Sequence, residues 1–129
     1  MLKTITIILS ISLLTLAIAC GDDDECVGGK ACVCSSDCEQ TCGGSGGSCS
    51  FTCPSGATCK FSCPGGSCSA TGSGSKSVIL DCPGNTCSLN CSGGDVCKIT
   101  SCSTACALNC GGATTCSNSC AITGGCTKN

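Results

Sequence analysis

Twenty-one cysteines in 129 residues dominate the chemistry open to this chain, and no histidine stands beside them. Thiols at this density form cystines, ligate soft metals or exchange disulfides. Spacing separates these uses. Thiolate metal clusters depend on repeated C-x-C and C-x-x-C, and redox centres on C-x-x-C. Here Cys32 and Cys34 make one C-x-C, and C-x-x-C does not occur. Structural cystines are the expectation, with no metal and no cofactor.

The other polar residues offer little for catalysis. Asp22 to Glu25 are four consecutive carboxylates without the alternating ligand spacing of a calcium loop, so they read as a solvated spacer. Asp81 and Asp95 stand alone and read as corner groups. Without histidine or paired carboxylates in the repeat there is no general base with an orienting partner, and the chain is expected not to be an enzyme. Six basic against eight acidic residues give a net charge of −2, which supplies no electrostatic footprint for nucleic acid.

The cysteines fall in a repeat. From Cys49 the chain writes in rows of about 19: CSFTCPSGATCKFSCPGGS, CSATGSGSKSVILDCPGNT, CSLNCSGGDVCKITSCSTA, CALNCGGATTCSNSCAITGG and CTKN. Each row holds two units that alternate Cys or apolar with polar residues, separated by Pro, Gly, Ser, Asn or Thr. Alternation of period two makes one face of a short strand, and the intervening residues make turns. Five-residue strands with one apolar face need a partner layer. The expected fold is all-β: a small, disulfide-rich β-solenoid with two strands per coil, the alternative being an antiparallel hairpin stack, with knottin-like packing third. With only two aromatic residues, both Phe, covalent bonds must replace much of a core.

The rows carry a control for cystine pairing. Gly72 and Val78 replace two cysteines of the second row together, where the other rows have Cys53 and Cys59, Cys91 and Cys97, Cys110 and Cys116. Loss in pairs implies bonding in pairs. The same columns pair Cys42 with Cys49, Cys63 with Cys68, Cys82 with Cys87, Cys102 with Cys106, and Cys120 with Cys126, each across a corner. Cys102 falls one place late, which predicts a bulge near Ser101. Cys26, Cys32, Cys34 and Cys38 remain for two bonds in an N-terminal cap, with their connectivity open.

Residues 1–19 read as a signal peptide: Lys3, a short apolar run, then small residues before Cys20. Leu16-Ala17-Ile18-Ala19-Cys20 resembles the lipobox of bacterial lipoproteins, with Ala17 where Leu is usual. The resemblance implies lipidation of Cys20, which leaves an even 20 cysteines for an oxidised domain. It also implies export and an outer-membrane or cell-surface location, since Gly21 rather than Asp follows the cysteine. Residues 20–37 then form an acidic tether and the start of a cap, and 38–129 the Cys-rich repeat domain. The membrane, through the lipid, is the expected partner, together with an envelope, carbohydrate or protein surface.

The outward residues of the first strand in each row are Ser50 and Thr52, Ser69 and Thr71, Ser88 and Asn90, Ala107 and Asn109, then Thr127 and Asn129. They form a ladder of small polar groups. In architecture this is similar to the disulfide-braced solenoids of some insect antifreeze proteins, whose Thr-x-Thr is not reproduced here. The tandem rows also resemble Cys-rich repeat proteins of predatory and soil bacteria. The functional expectation is a lipid-anchored, non-enzymatic surface module, structural or adhesive. The alternatives are a secreted Cys-rich toxin or inhibitor and an ice- or carbohydrate-binding solenoid.

Overall fold

Alternation along each unit puts Cys and apolar side chains on one side of a strand, and stacking of like units buries that side. In the computed structural model, which describes residues 25–44, 47–120 and the backbone of 126–128, these units are β1 (Cys26–Val27), β2 (Ala31–Val33), β3 (Cys38–Gly43), β4 (Ser50–Cys53), β5 (Thr58–Ser62) and β6 (Ser69–Ser73). They continue as β7 (Ser77–Asp81), β8 (Ser88–Ser92), β9 (Val96–Cys102), β10 (Cys106–Asn109), β11 (Thr115–Cys120) and β12 (Cys126–Lys128).

Odd-numbered strands form one sheet, in the order β1-β3-β5-β7-β9-β11, and even-numbered strands the other, β12-β10-β8-β6-β4-β2. All neighbours are parallel. The chain is therefore a parallel β-solenoid of about five coils, alternating between sheets at every corner. It is not a hairpin stack, in which neighbours would be antiparallel. Register repeats at 19: Ser50 faces Ser69, which faces Ser88, and Lys60 faces Ile79, which faces Lys98. Coil two adds one layer to each sheet at ~4.8 Å from the last, as parallel pairing requires.

The interior is one residue wide at its centre. Phe51 and Phe61, Ala70 and Leu80, and Leu89 and Ile99 meet there, all at most 2% exposed, and Leu108 continues the even-sheet column. Polar amides stand in the odd-sheet column at the two ends, where Gln40 is in register with Phe61 and Asn118 with Ile99. Both are half-buried.

The segment read as tether and cap enters the solenoid at Cys26: β1 joins the odd sheet beside β3, and β2 joins the even sheet beside β4. The late Cys102 has its physical cause in β9. Two residues, Thr100 and Ser101, oppose Ser119 alone, and Ser101 takes φ 57°. The bulge restores Cys102 to the register of Cys120 and shortens the following corner. Corners also stack closely. Gly66 has φ 75°, and a Cβ there would lie 2.3 Å from the Asn85 backbone nitrogen of the next coil.

Residues 1–24, including Cys20 and the apolar run, lie outside the described residues. Among the described residues no helix is long and apolar enough to cross a membrane.

Candidate binding face

Cystines sit at the two long edges, where a corner brings strand ends together, as their geometry demands. One edge carries Cys34–Cys38, Cys53–Cys59, Cys91–Cys97 and Cys110–Cys116. The other carries Cys26–Cys32, Cys42–Cys49, Cys63–Cys68, Cys82–Cys87 and Cys102–Cys106. Bonding of Cys120 with Cys126 lies outside the described side chains, as does the state of Cys20. Sulfurs of successive coils approach one another: Cys34, Cys38 and Cys59 cluster within 4.8 Å, and so do Cys42, Cys49 and Cys68. These clusters are stacked cystines, whose sulfurs carry no thiolate to offer a metal.

Cys26–Cys32 departs from the corner pattern. The register places Lys30 opposite the Cys49 column and Cys32 opposite Phe51. With lysine at the usual corner position, the bond reaches the central column instead, and a half-cystine takes the place that Phe51, Ala70, Leu89 and Leu108 have in later coils.

The second row lacks a cystine at its first edge, and its substitutes form a unit. Ser75 is 2% exposed and donates its hydroxyl to the Cys53 carbonyl at 3.1 Å. Gly72 makes room: a Cβ there would stand 2.5 Å from Val78 Cγ2 and 2.9 Å from Ser75 Oγ. Valine and a buried serine fill the space of two sulfurs, and the serine's polar atom is satisfied, as a buried hydroxyl must be.

The even sheet's outer face carries the ladder. Ser50, Ser69, Ser88 and Ala107 are in register, and alongside run Thr52, Thr71, Asn90 and Asn109. Strand positions two apart lie ~7 Å from one another and rungs ~4.8 Å, so the groups form a nearly flat grid. Part of its hydrogen-bonding capacity is spent internally. Ser50 and Ser69 bond hydroxyl to hydroxyl at 2.9 Å, Thr71 Oγ1 donates to the Phe51 carbonyl at 3.4 Å, and Asn109 Oδ1 accepts from Gly111 N at 3.2 Å. Among the described residues Thr52, Ser88 and Asn90 make no side-chain hydrogen bond within the protein.

Beside this ladder lies a groove of about 470 Å³ along the second edge, its walls formed by Ser67, Thr86 and Ala105 on one side and Ser69, Ser88 and Ala107 on the other, with Cys68, Cys87 and Cys106 at its floor. The ladder was visible in the sequence, and the groove was not. Its far wall comes from the residue before each row's first cysteine, a column of small side chains whose depth depends on corner geometry.

The odd sheet's outer face differs in kind. Glu39, Lys60, Ile79, Lys98 and Ser117 follow one another in register, with Thr41, Ser62, Asp81 and Thr100 beside them. Lys60 Nζ lies 3.9 Å from Glu39 Oε2, both well exposed, and Thr100 donates to Asp81 Oδ1 at 2.9 Å. Asp81 thus ties two coils, and Asp37 does likewise by accepting the Thr58 amide at 2.7 Å.

Comparison of the chain with known protein families, curated proteins and solved structures finds no match in any of the three.

Proposed function

We propose that the protein is a non-enzymatic module of the bacterial envelope, moored through a lipid on Cys20, and that the even-sheet face and its groove hold neutral carbohydrate. The dense cystines support the coarser part: a rigid, oxidised module suits an exported protein. One observation carries the finer part. The even-sheet grid is uncharged from Ser50 to Asn109, and a groove with an uncharged lining runs alongside it, whereas lysines and carboxylates occupy the odd sheet. Hydroxyls and amides at fixed spacing donate to and accept from sugar hydroxyls, and small side chains leave the chain of a glycan room to lie flat.

Lysine scanning tests this. Ser88→Lys with Asn90→Lys should abolish retention on immobilised neutral polysaccharide, while Ser117→Lys on the odd sheet should leave it intact. Equal retention of all three proteins removes the carbohydrate reading. Separately, Cys20→Ala should free the protein from the membrane fraction and end incorporation of labelled fatty acid. A native chain found wholly in the medium points instead to a released toxin or inhibitor.

A further inference from the structure

Every cystine among the described residues is local, joining cysteines 4 to 7 positions apart. Each therefore bridges one corner and nothing more. A peptide bond hydrolysed inside such a corner leaves the chain in one covalent piece. The corner between β6 and β7 has no bridge, because Gly72 and Val78 stand where the cystine would be, and no described cystine joins a residue before it to one after it.

A basic residue sits in that corner. Lys76 is exposed, with Gly74 and Ser73 exposed before it. The other basic residues are placed differently. Lys30 lies inside the Cys26–Cys32 bridge. Lys60 and Lys98 are in β5 and β9, each hydrogen-bonded to a strand on both sides. Lys3 and Lys128 are near the chain ends, where cutting leaves the coils whole.

We propose that the Lys76–Ser77 peptide bond, in the one unbridged corner among the described residues, is a processing site for a trypsin-class serine protease, where a cut parts the coils into two covalently separate halves. Water adds across the bond, leaving a carboxylate on Lys76 and an amine on Ser77. The N-terminal half keeps β1 to β6 and the C-terminal half β7 to β12, each with its own cystines.

A protease needs an extended segment, so the corner must open first. It is held by the Ser75 hydroxyl on the Cys53 carbonyl, by the Ser55 hydroxyl on the Gly74 carbonyl, and by backbone bonds to both neighbours, Gly56 N to Gly74 O, Gly74 N to Ser92 O, Ser77 N to Ala57 O and Val96 N to Lys76 O, with Ser77 the first residue of β7. Opening breaks these bonds and leaves the flanking cystines intact. In the bridged corners the cystine confines the chain even when hydrogen bonds break. Loops that open locally are where limited cleavage occurs.

The test uses trypsin on the full oxidised protein, read on a denaturing gel without reductant. Two fragments should separate, with masses that place the cut after Lys76. Lys76→Gln should remain a single band. Gly72→Cys combined with Val78→Cys, which removes the valine that a Cβ at position 72 would strike, should be cut yet stay joined until reductant is added. Ser75→Ala should be cut roughly fivefold faster, the effect of losing one hydrogen bond from the closed corner. The proposal is overturned if the native chain stays intact at trypsin levels that digest its reduced form, if the first cut maps to Lys60 or Lys98, or if Lys76→Gln still separates.

Discussion

Phe51 of the even sheet and Phe61 of the odd sheet lie face to face across the interior, their ring centroids 4.5 Å apart and their planes within 10° of parallel. They are the chain's two aromatic residues. Their coil is filled by ring contact, where the coils beyond use Ala70 with Leu80 and Leu89 with Ile99. Phe61→Ala should therefore open a cavity and cost about 3–5 kcal/mol in denaturant unfolding with cystines intact. Phe61→Leu, the side chain used one coil on, should cost less than Phe61→Ala, because it leaves a smaller cavity.

Gly72→Ala should destabilise by about 1–3 kcal/mol, because the new methyl meets Val78 Cγ2 and the buried Ser75 hydroxyl. Adding Val78→Ala should recover part of the loss. A Gly72→Ala protein as stable as the parent would show that the corner yields at no cost.

Removing the Asp37 carboxylate tests the tie between the first two coils. Asp37→Ala leaves the Thr58 amide without its partner at 2.7 Å, so hydrogen exchange at that amide should accelerate. Global stability should fall by about 1 kcal/mol, since the site is exposed to solvent.

Glu39→Gln is the contrasting case. Its contact with Lys60 is 3.9 Å between side chains 70% and 59% exposed, so denaturant stability should change by less than ~1 kcal/mol.

Reduction should run inward from the ends. Cys116, Cys38 and Cys32 are only partly buried, whereas Cys59, Cys63, Cys82 and Cys97 are fully sealed. Limiting phosphine followed by alkylation should label the Cys110–Cys116, Cys34–Cys38 and Cys26–Cys32 pairs first and Cys63–Cys68 and Cys82–Cys87 last. Central cystines that react first would overturn the order. Each bond closes a small loop and contributes roughly 2 kcal/mol by chain entropy, so the fold should loosen progressively as bonds are lost.

Much of this architecture was legible from alternation and from one substitution. Gly72 and Val78 vary together because a cystine needs both ends, and that alone aligns the columns of Cys53 and Cys59. Period two then fixed which face of each strand turns inward, whereas the row of 19 fits a parallel coil and a hairpin stack alike, and the register of Ser50 with Ser69 and Ser88 decides for the coil. The first coil was less legible. Its cysteines are spaced 6, 2 and 4 apart, and although Cys34 stands 19 residues before Cys53, Cys26 and Cys32 fall outside the columns, so only the register of Cys32 against Phe51 explains why Cys26 reaches it. Ser75 looked like one turn residue among many. Its burial follows from the missing sulfurs beside it, a consequence of packing that turn chemistry does not encode. The ladder of Ser88 and Asn90 was visible as outward positions, but which of its groups stay free depends on rotamers, as with Thr71 turning back to the Phe51 carbonyl.

Short-range stapling also bears on how such a molecule changes length. Because each described cystine closes within its own bend, a duplicated or deleted row would bring its staples with it and leave the other described linkages undisturbed. Adding or removing a coil would therefore change the reach of the stack while the bends that remain keep their own clamps, since each coil contacts only its neighbours.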